Sequence, residues 1–361
     1  MSEPVAEGPA GPAVVALGGG HGLAASLQAL RRVTDALTAV VTVADDGGSS
    51  GRLRRELGVL PPGDLRMALA ALCGDDEWGQ TWSKVAQHRF RSAGDLHDHA
   101  VGNLLIVALW ELLGDSVAGL DWVARLLGAH GRVLPMSLVP LDIEAVMAVD
   151  DPVAAAEGTG RSARTVTVRG QVAVATTPGR VVGLGLVPDR PPACQEAVAA
   201  VRSADWVVLG PGSWYTSVIP HLLVPDLADA LCSTAARRLV VLNLAPQPGE
   251  TAGFAPETHL EVLAEHAPGL RLDAVVADAA AVPHPDRLAR VARSLGAELR
   301  LDDLARAGQP EMHDPDRLGA VLGALFADAG ADAGGPGAAQ DARPGRTDRF
   351  ARLDPLSTDR M

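Results

Sequence analysis

Ala13-Val14-Val15-Ala16-Leu17 is an apolar run too short for a core helix, and it ends directly in Gly18-Gly19-Gly20-His21-Gly22. A short run without polar alternation marks a strand buried on both faces of a parallel sheet. Leu23, Leu27 and Leu30 then share one face of a helix that runs to Arg32. The unit recurs along the chain. Leu37 to Val43, Trp206 to Leu209 and Leu239 to Leu242 predict further buried strands, with weaker ones near Leu272–Ala277 and Leu299–Leu301. Helices are expected from Asp64 to about Cys73, from Gly102 to Leu113 and near Ala193–Arg202. Strands alternating with helices fix the class as α/β, with a doubly wound, mostly parallel, Rossmann-like sheet. Residues 143–186 break the rhythm. Ile143–Val149, Thr165–Val168, Val172–Thr176 and Val181–Leu186 are short strand-like runs separated by Gly and Pro, which predicts a smaller β-rich insertion.

The ends differ from the middle. Residues 1–12 read as a flexible leader, residues 13–326 as the Rossmann-like domain, and residues 327–361 as a disordered tail of Ala, Gly, Asp, Arg and Pro too poor in large apolar side chains to offset its ordering entropy. The leader has neither a basic segment nor an apolar core, and no run of 18 apolar residues occurs, so a cytoplasmic protein without membrane insertion is expected. A formal charge of −13 argues against a general nucleic-acid binder. Lys84 is the single lysine, and Trp82-Ser83-Lys84 is not the GxxxxGK[ST] loop, so a Walker-type nucleotidase is excluded. Cys73, Cys194 and Cys232 are far apart and read as small buried hydrophobes, not a disulfide framework or a zinc site.

In a doubly wound sheet, ligands bind outside the carboxyl ends of the strands at the switch point. Three glycine-rich loops follow predicted strands. Gly18, Gly19, Gly20, His21 and Gly22 place amides and a helix N-terminus where an anion is favoured. They also fit GxGxxA, which alone is weak support for a dinucleotide enzyme. In the second loop, Asp45, Asp46, Ser49 and Ser50 offer two carboxylates and two hydroxyls for a hydroxylated ligand, or for Mg²⁺ beside a diphosphate. An Asp pair is also a common turn element. Asp64 is suited to cap its helix, which sets Arg66 at the wrong end for the helix dipole and calls for an anionic partner. His97 and His99 lack the company of other metal ligands. His99 and Asn103, one turn apart, can face one ligand. In the third loop, Gly212, Ser213, Tyr215 and Thr216 offer amides and hydroxyls for phosphate or sugar, or else a helix cap. Asn243, Gln247 and Glu250 follow the next strand and can read a uracil or a sugar, or simply form a Pro-rich turn.

Together and in this order, VVALGGGHGL, VVTVADDGGSSGRLR, PPGDLR, HAVGNLL, GRVLP, ADWVVLGPGSWYTSVIPHLL and QPGET resemble the gluconeogenesis factor (YvcK-like) family, which is similar to the 2-phospho-L-lactate transferases (CofD-like). The resemblance implies a nucleotide-sugar-binding regulator that takes UDP-N-acetylglucosamine or a related UDP-sugar. It links the protein to gluconeogenic carbon metabolism, cell-wall synthesis and cell shape, with no activity established for this branch. No cofactor is then required. The alternative it implies is a Mg²⁺-dependent transferase joining a phospholactate unit to a deazaflavin alcohol, with Asp45 and Asp46 as metal ligands. The expected partners are a UDP-sugar and further copies of the chain. The sequence departs from the family pattern at His21 (usually Thr), Met67 (usually Asn), Gln171 (commonly Glu), Leu242 (usually Cys) and Met312 (often Arg).

Overall fold

The computed structural model describes residues 11–150, 163–247 and 249–333; most of the expected leader, part of the insertion and the expected tail from residue 334 lie outside the described residues. Strands β1 (Val14–Gly18), β2 (Leu37–Val41) and β3 (Arg132–Pro135) lie side by side and parallel. The chain then builds a separate antiparallel sheet from β4 (Asp142–Asp150), β5 (Ala163–Arg169) and β6 (Arg180–Val187), in the order β5-β4-β6. It returns to the first sheet with β7 (Trp206–Leu209), β8 (Arg237–Val241), β9 (Ala274–Asp278) and β10 (Glu298–Asp302). A hairpin, β11 (Ala305–Arg306) and β12 (Gln309–His313), pairs with no other strand among the described residues.

The main sheet is wholly parallel in the order β10-β9-β8-β7-β1-β2-β3. The chain moves outward from β1 to β3, then crosses back to β7 and moves outward the other way. The reversal lies between β1 and β7, so a crevice opens at their carboxyl ends. Strands β1, β7 and β9 are mostly Val, Ala and Leu and are buried at every position, Trp206 and Asp278 included. The edge strand β10 exposes Glu298 and Arg300, charges that blunt an open edge.

The helices flank the two faces: α1 (Gly20–Leu30), α2 (Gly48–Leu57), α3 (Gly63–Ala71), α4 (Glu77–Gln87), α5 (Val101–Leu113), α6 (Ser116–Leu127), α7 (Gln171–Thr176), α8 (Gln195–Ser203), α9 (Pro225–Ser233), α10 (Pro256–His266), α11 (Pro285–Ser294) and α12 (Pro315–Ala333). Asp76 caps α4 through the Gly79 N–H at 2.8 Å, and Asp115 caps α6 through Val117 and Ala118. The compact body closes at Gly323, and from Ala324 the last helix continues to Ala333.

Four expectations need correction. Val172–Thr176 is helical, not a strand, because Asp46 of the second loop accepts the Val172 N–H at 3.0 Å and caps α7 from outside. Asp64 is not a helix cap: Pro62 holds that position and Asp64 lies inside the first turn of α3. Ser213 and Thr216 cap no helix; the segment Trp214–Val218 is a π-helical turn whose flanking Ser213 makes no cap bond. Residues 327–333, expected to be disordered, extend α12, where alanine-rich composition favours helix. Among the described residues the three cysteines are free, and no helix is long and apolar enough to cross a membrane.

Candidate functional site

The first loop leaves β1 and turns at once into α1. Gly19 precedes the helix with no side-chain cap and Gly20 takes φ +57°, so the first N–H groups of α1 lack intrahelical acceptors, and that of Gly20 is taken by the Asp64 carboxyl. Gly22 is packed backbone to backbone on the third loop: a Cβ there would lie 2.3 Å from the Pro211 carbonyl oxygen and 2.4 Å from the Gly212 Cα. Asn243, just past β8, clamps the third loop from the other side. Its Oδ1 accepts the Gly212 N–H at 2.8 Å and its Nδ2 donates to the Gly212 carbonyl at 2.8 Å.

These loops wall a cavity of about 430 Å³. Of the residues expected from sequence, His21, Gly22, Gly212, Asn243 and Gln247 line it. The Gln247 side-chain oxygen is buried with no hydrogen-bond partner among the described residues. The opposite contribution comes from β11 and β12, whose Arg306, Glu311, Met312 and His313 also line the cavity. Of these, only Met312 stands out in the sequence, where the family pattern often has Arg. No glycine-rich loop after a core strand announces this hairpin. Burial holds His313 down to about 4, so its ring is neutral near pH 7.

Ser213, Tyr215, Thr216 and Glu250 stand behind the third loop. The Glu250 carboxylate, itself buried, accepts the Ser213 hydroxyl, the Thr216 hydroxyl at 2.9 Å and the Tyr215 N–H at 3.1 Å. Tyr215 packs edge-on against Phe254, and burial pushes its phenol up to about 12. This set fixes the shape of the loop from behind.

The acidic loop forms a second polar cluster. Asp45 accepts the Gly47 N–H at 3.0 Å through Oδ1, while Asp46 is occupied by α7. The two carboxylates are thus engaged by different neighbours. The carboxyl that does interact with Asp45 is Asp64, whose sequence position suggests only a helix cap. Burial and Asp45 push Asp64 up to about 7, against the pull of the Gly20 N–H and Arg66. Ser50 packs on Gly63. The Ser49 hydroxyl meets His99 Nδ1 at 3.1 Å and accepts Asn103 Nδ2 at 3.0 Å, tying α2 to the start of α5. Arg66 is 4% exposed, its aliphatic stem lies against Gly102, and its Nε and Nη1 have no partner; the Asn103 Oδ1 is likewise unpartnered. Burial first, then Arg89, lowers Arg66 to about 10, so it stays charged at pH 7. A buried cation with unpartnered donors suits an anionic group. His99 turns outward from here to line a more open depression with Arg52 and Arg55. Among the described residues no three His, Cys, Asp or Glu side chains gather as a metal site.

The sequence-expected residues therefore divide between the cavity, the support of the third loop and the acidic cluster. Gly18 and Gly19 stand between them: a Cβ at Gly19 would meet Asp64 Oδ2 at 2.6 Å.

The profile of the family described as 2-phospho-L-lactate transferase CofD matches residues 14–313. A Mycobacterium tuberculosis protein provisionally named a gluconeogenesis factor is 56% identical over 317 residues, covering 87% of this chain and 90% of that protein. The gluconeogenesis factor of Bacillus subtilis is 34% identical over 272 residues, covering 75% and 80%. The crystal structure of a UPF0052-family protein from Bacillus halodurans superposes with a TM-score of 0.73 at 31% identity, over 86% of this chain and 97% of that one. The likeness thus spans the parallel sheet, the loops at its switch point and the hairpin beyond it, and the chain belongs to the CofD family, on the branch whose members are named gluconeogenesis factors.

Proposed function

We propose that the protein binds a nucleotide sugar of the UDP-N-acetylglucosamine type between β1 and β7 and acts as a regulator of gluconeogenic carbon metabolism, cell-wall synthesis and cell shape. The observation that carries this reading is the meeting, in one cavity, of the first turn of α1 at His21 and Gly22, the clamped Gly212 wall and the Gln247 side chain, whose oxygen has no partner among the described residues. A helix N-terminus favours a diphosphate. A free amide beside it supplies a hydrogen bond to a base or sugar. The cavity volume lies within the range of about 300–1,000 Å³ typical of small-molecule sites. Micromolar affinity, about −8 kcal/mol, suffices for a sensor. The names of the relatives support the metabolic side of the reading.

The transferase alternative needs Asp45 and Asp46 to hold Mg²⁺ jointly. Their engagement by separate neighbours does not favour it. Calorimetric titration with UDP-N-acetylglucosamine, with and without Mg²⁺, tests both, with UDP-glucose, GDP and NAD as comparisons. Saturable, uracil-selective binding that persists in EDTA is expected. No heat with UDP-sugars, together with Mg²⁺-dependent GDP binding, would overturn the regulator reading in favour of the transferase.

A further inference from the structure

Among the described residues, the cavity wall carries a single arginine, Arg306. It makes no ion pair and no side-chain hydrogen bond with any of them, although the chain has 44 acidic side chains against 31 basic ones. Glu311 lines the same cavity without pairing with it. Half-buried Asp314 feels its charge but spends its Oδ1 on the Asp316 and Arg317 N–H groups. Arg306 also sits at the anchored end of its hairpin. Asp278 Oδ2 accepts the N–H groups of Leu304 at 2.8 Å and Ala305 at 3.0 Å, while its Oδ1 holds Ala280 and Ala281. The backbone leading into Arg306 is therefore fixed, and the free tip lies beyond it at Gly308.

The charge balance of the cavity gives this cation a task. A helix N-terminus offers roughly half a positive charge, whereas a diphosphate brings about two negative ones. Glu311 adds another negative charge to the wall. A guanidinium, with its planar fork of donors, is suited to supply what the helix cannot. We infer that Arg306 is the specificity-determining residue through which the cavity selects a nucleoside diphosphate over the bare nucleoside, an inference that rests on the nucleotide-sugar reading above.

The test is calorimetry on the full chain and its Arg306→Gln and Arg306→Lys variants, with UDP-N-acetylglucosamine, UDP and uridine at one ionic strength. Arg306→Gln should weaken both diphosphate ligands tenfold or more and leave uridine unchanged. Arg306→Lys should recover part of the loss. The unfolding midpoint should not move, because the side chain is only half-buried and unpartnered. Equal binding of UDP by wild type and Arg306→Gln overturns the inference and leaves the nucleotide-sugar reading standing. A parallel loss of uridine overturns it too, because charge is then not what the residue reads. A wild type that binds neither diphosphate overturns both.

Discussion

Replacing Glu250 by alanine tests how the third loop is held. The buried carboxylate takes three donors: the Ser213 hydroxyl, the Thr216 hydroxyl and the Tyr215 N–H. Hydrogen bonds to a charged group contribute about 1.5–3 kcal/mol each. The two hydroxyls recover part of their loss, since Ser213 and Thr216 bond each other and Gln171 Nε2 reaches Thr216 Oγ1 at 3.5 Å. The buried Tyr215 N–H has no substitute acceptor among the described residues, and such an orphan costs about 1–3 kcal/mol. The expected destabilisation is about 3–5 kcal/mol, a large share of the roughly 5–15 kcal/mol that holds a domain folded. Glu250→Gln behaves differently. By turning its amide, glutamine accepts the Tyr215 N–H and donates to the hydroxyl oxygens. Only the charge assistance is lost, about 1–2 kcal/mol. Urea unfolding of the three proteins measures the difference, with UDP-N-acetylglucosamine titration alongside. Equal destabilisation by Ala and Gln, or a cost below about 1 kcal/mol for Ala, would refute the assignment of Glu250 as the anchor of this loop.

Gly22→Ala places a methyl group against Pro211 and Gly212 backbone that cannot yield, so the first and third loops part. A loss of about 1–3 kcal/mol in unfolding and of UDP-sugar binding by calorimetry is expected. Asp46→Ala removes the outside cap of α7, for about 1 kcal/mol, and amide exchange should accelerate over residues 171–176 while the rest keeps its protection. Burial holds His221 and His313 down to about 4, from 6.5. The unfolded chain binds their protons first, so stability falls as pH drops from 6.5 toward 4, each contributing up to about 1.4 kcal/mol per pH unit. Asp64 opposes them: it keeps its proton up to about 7 when folded but releases it near 3.8 when unfolded, so it costs stability as pH rises through that window. Asp64→Asn should therefore steepen the gain of stability with pH. Urea midpoints across about pH 4.5–6.5 check this, and an unchanged slope counts against the buried carboxyl.

The parts of the fold legible in the sequence are those where one apolar run decides the outcome. Val14–Leu17, Leu37–Val41 and Trp206–Leu209 are buried on both faces and read directly. The strand Arg132–Pro135 was not legible as a strand, because it is four residues long and ends in a proline that only an edge position tolerates. Val172–Thr176 has strand composition, yet Asp46 caps it as a helix from more than a hundred residues away, and no local pattern carries that. The same limit applies to the site. Glycines next to strands located the loops. They did not distinguish side chains that face a ligand from side chains that brace a loop. Glu250 looks like a ligand reader in the sequence, but in the fold its carboxylate binds the Ser213–Thr216 turn, and Asn243 lines the cavity while its amide is spent on Gly212. Arg306 and Glu311 reach the cavity from a hairpin that follows the last strand, where nothing in the sequence marks a binding residue.

The ties between loops also limit how occupancy of this cavity can be communicated. Thr42, just past β2, donates to the Ser217 carbonyl beyond β7 at 2.9 Å, and Ser26 of α1 donates to the Gly210 carbonyl at 2.9 Å. Gly19 and Gly22 are pressed from opposite sides by Asp64 and by Pro211–Gly212. Packed backbone of this kind has no slack, so a ligand cannot shift the first loop without moving the third and the acidic cluster with it. The hairpin is held differently. Asp278 fixes its start, and His313 meets Leu242 backbone at its end. Between them the turn at Gly308 touches nothing within 4 Å of a Cβ position, and an isolated two-stranded ribbon is only marginally stable by itself. For a protein that reports ligand occupancy, this hairpin is the cavity wall with freedom to respond. Its 305–313 amides should gain exchange protection on UDP-N-acetylglucosamine binding, while those of α1 change little. Equal protection of both, or protection of α1 alone, would show that the signal leaves through the sheet instead.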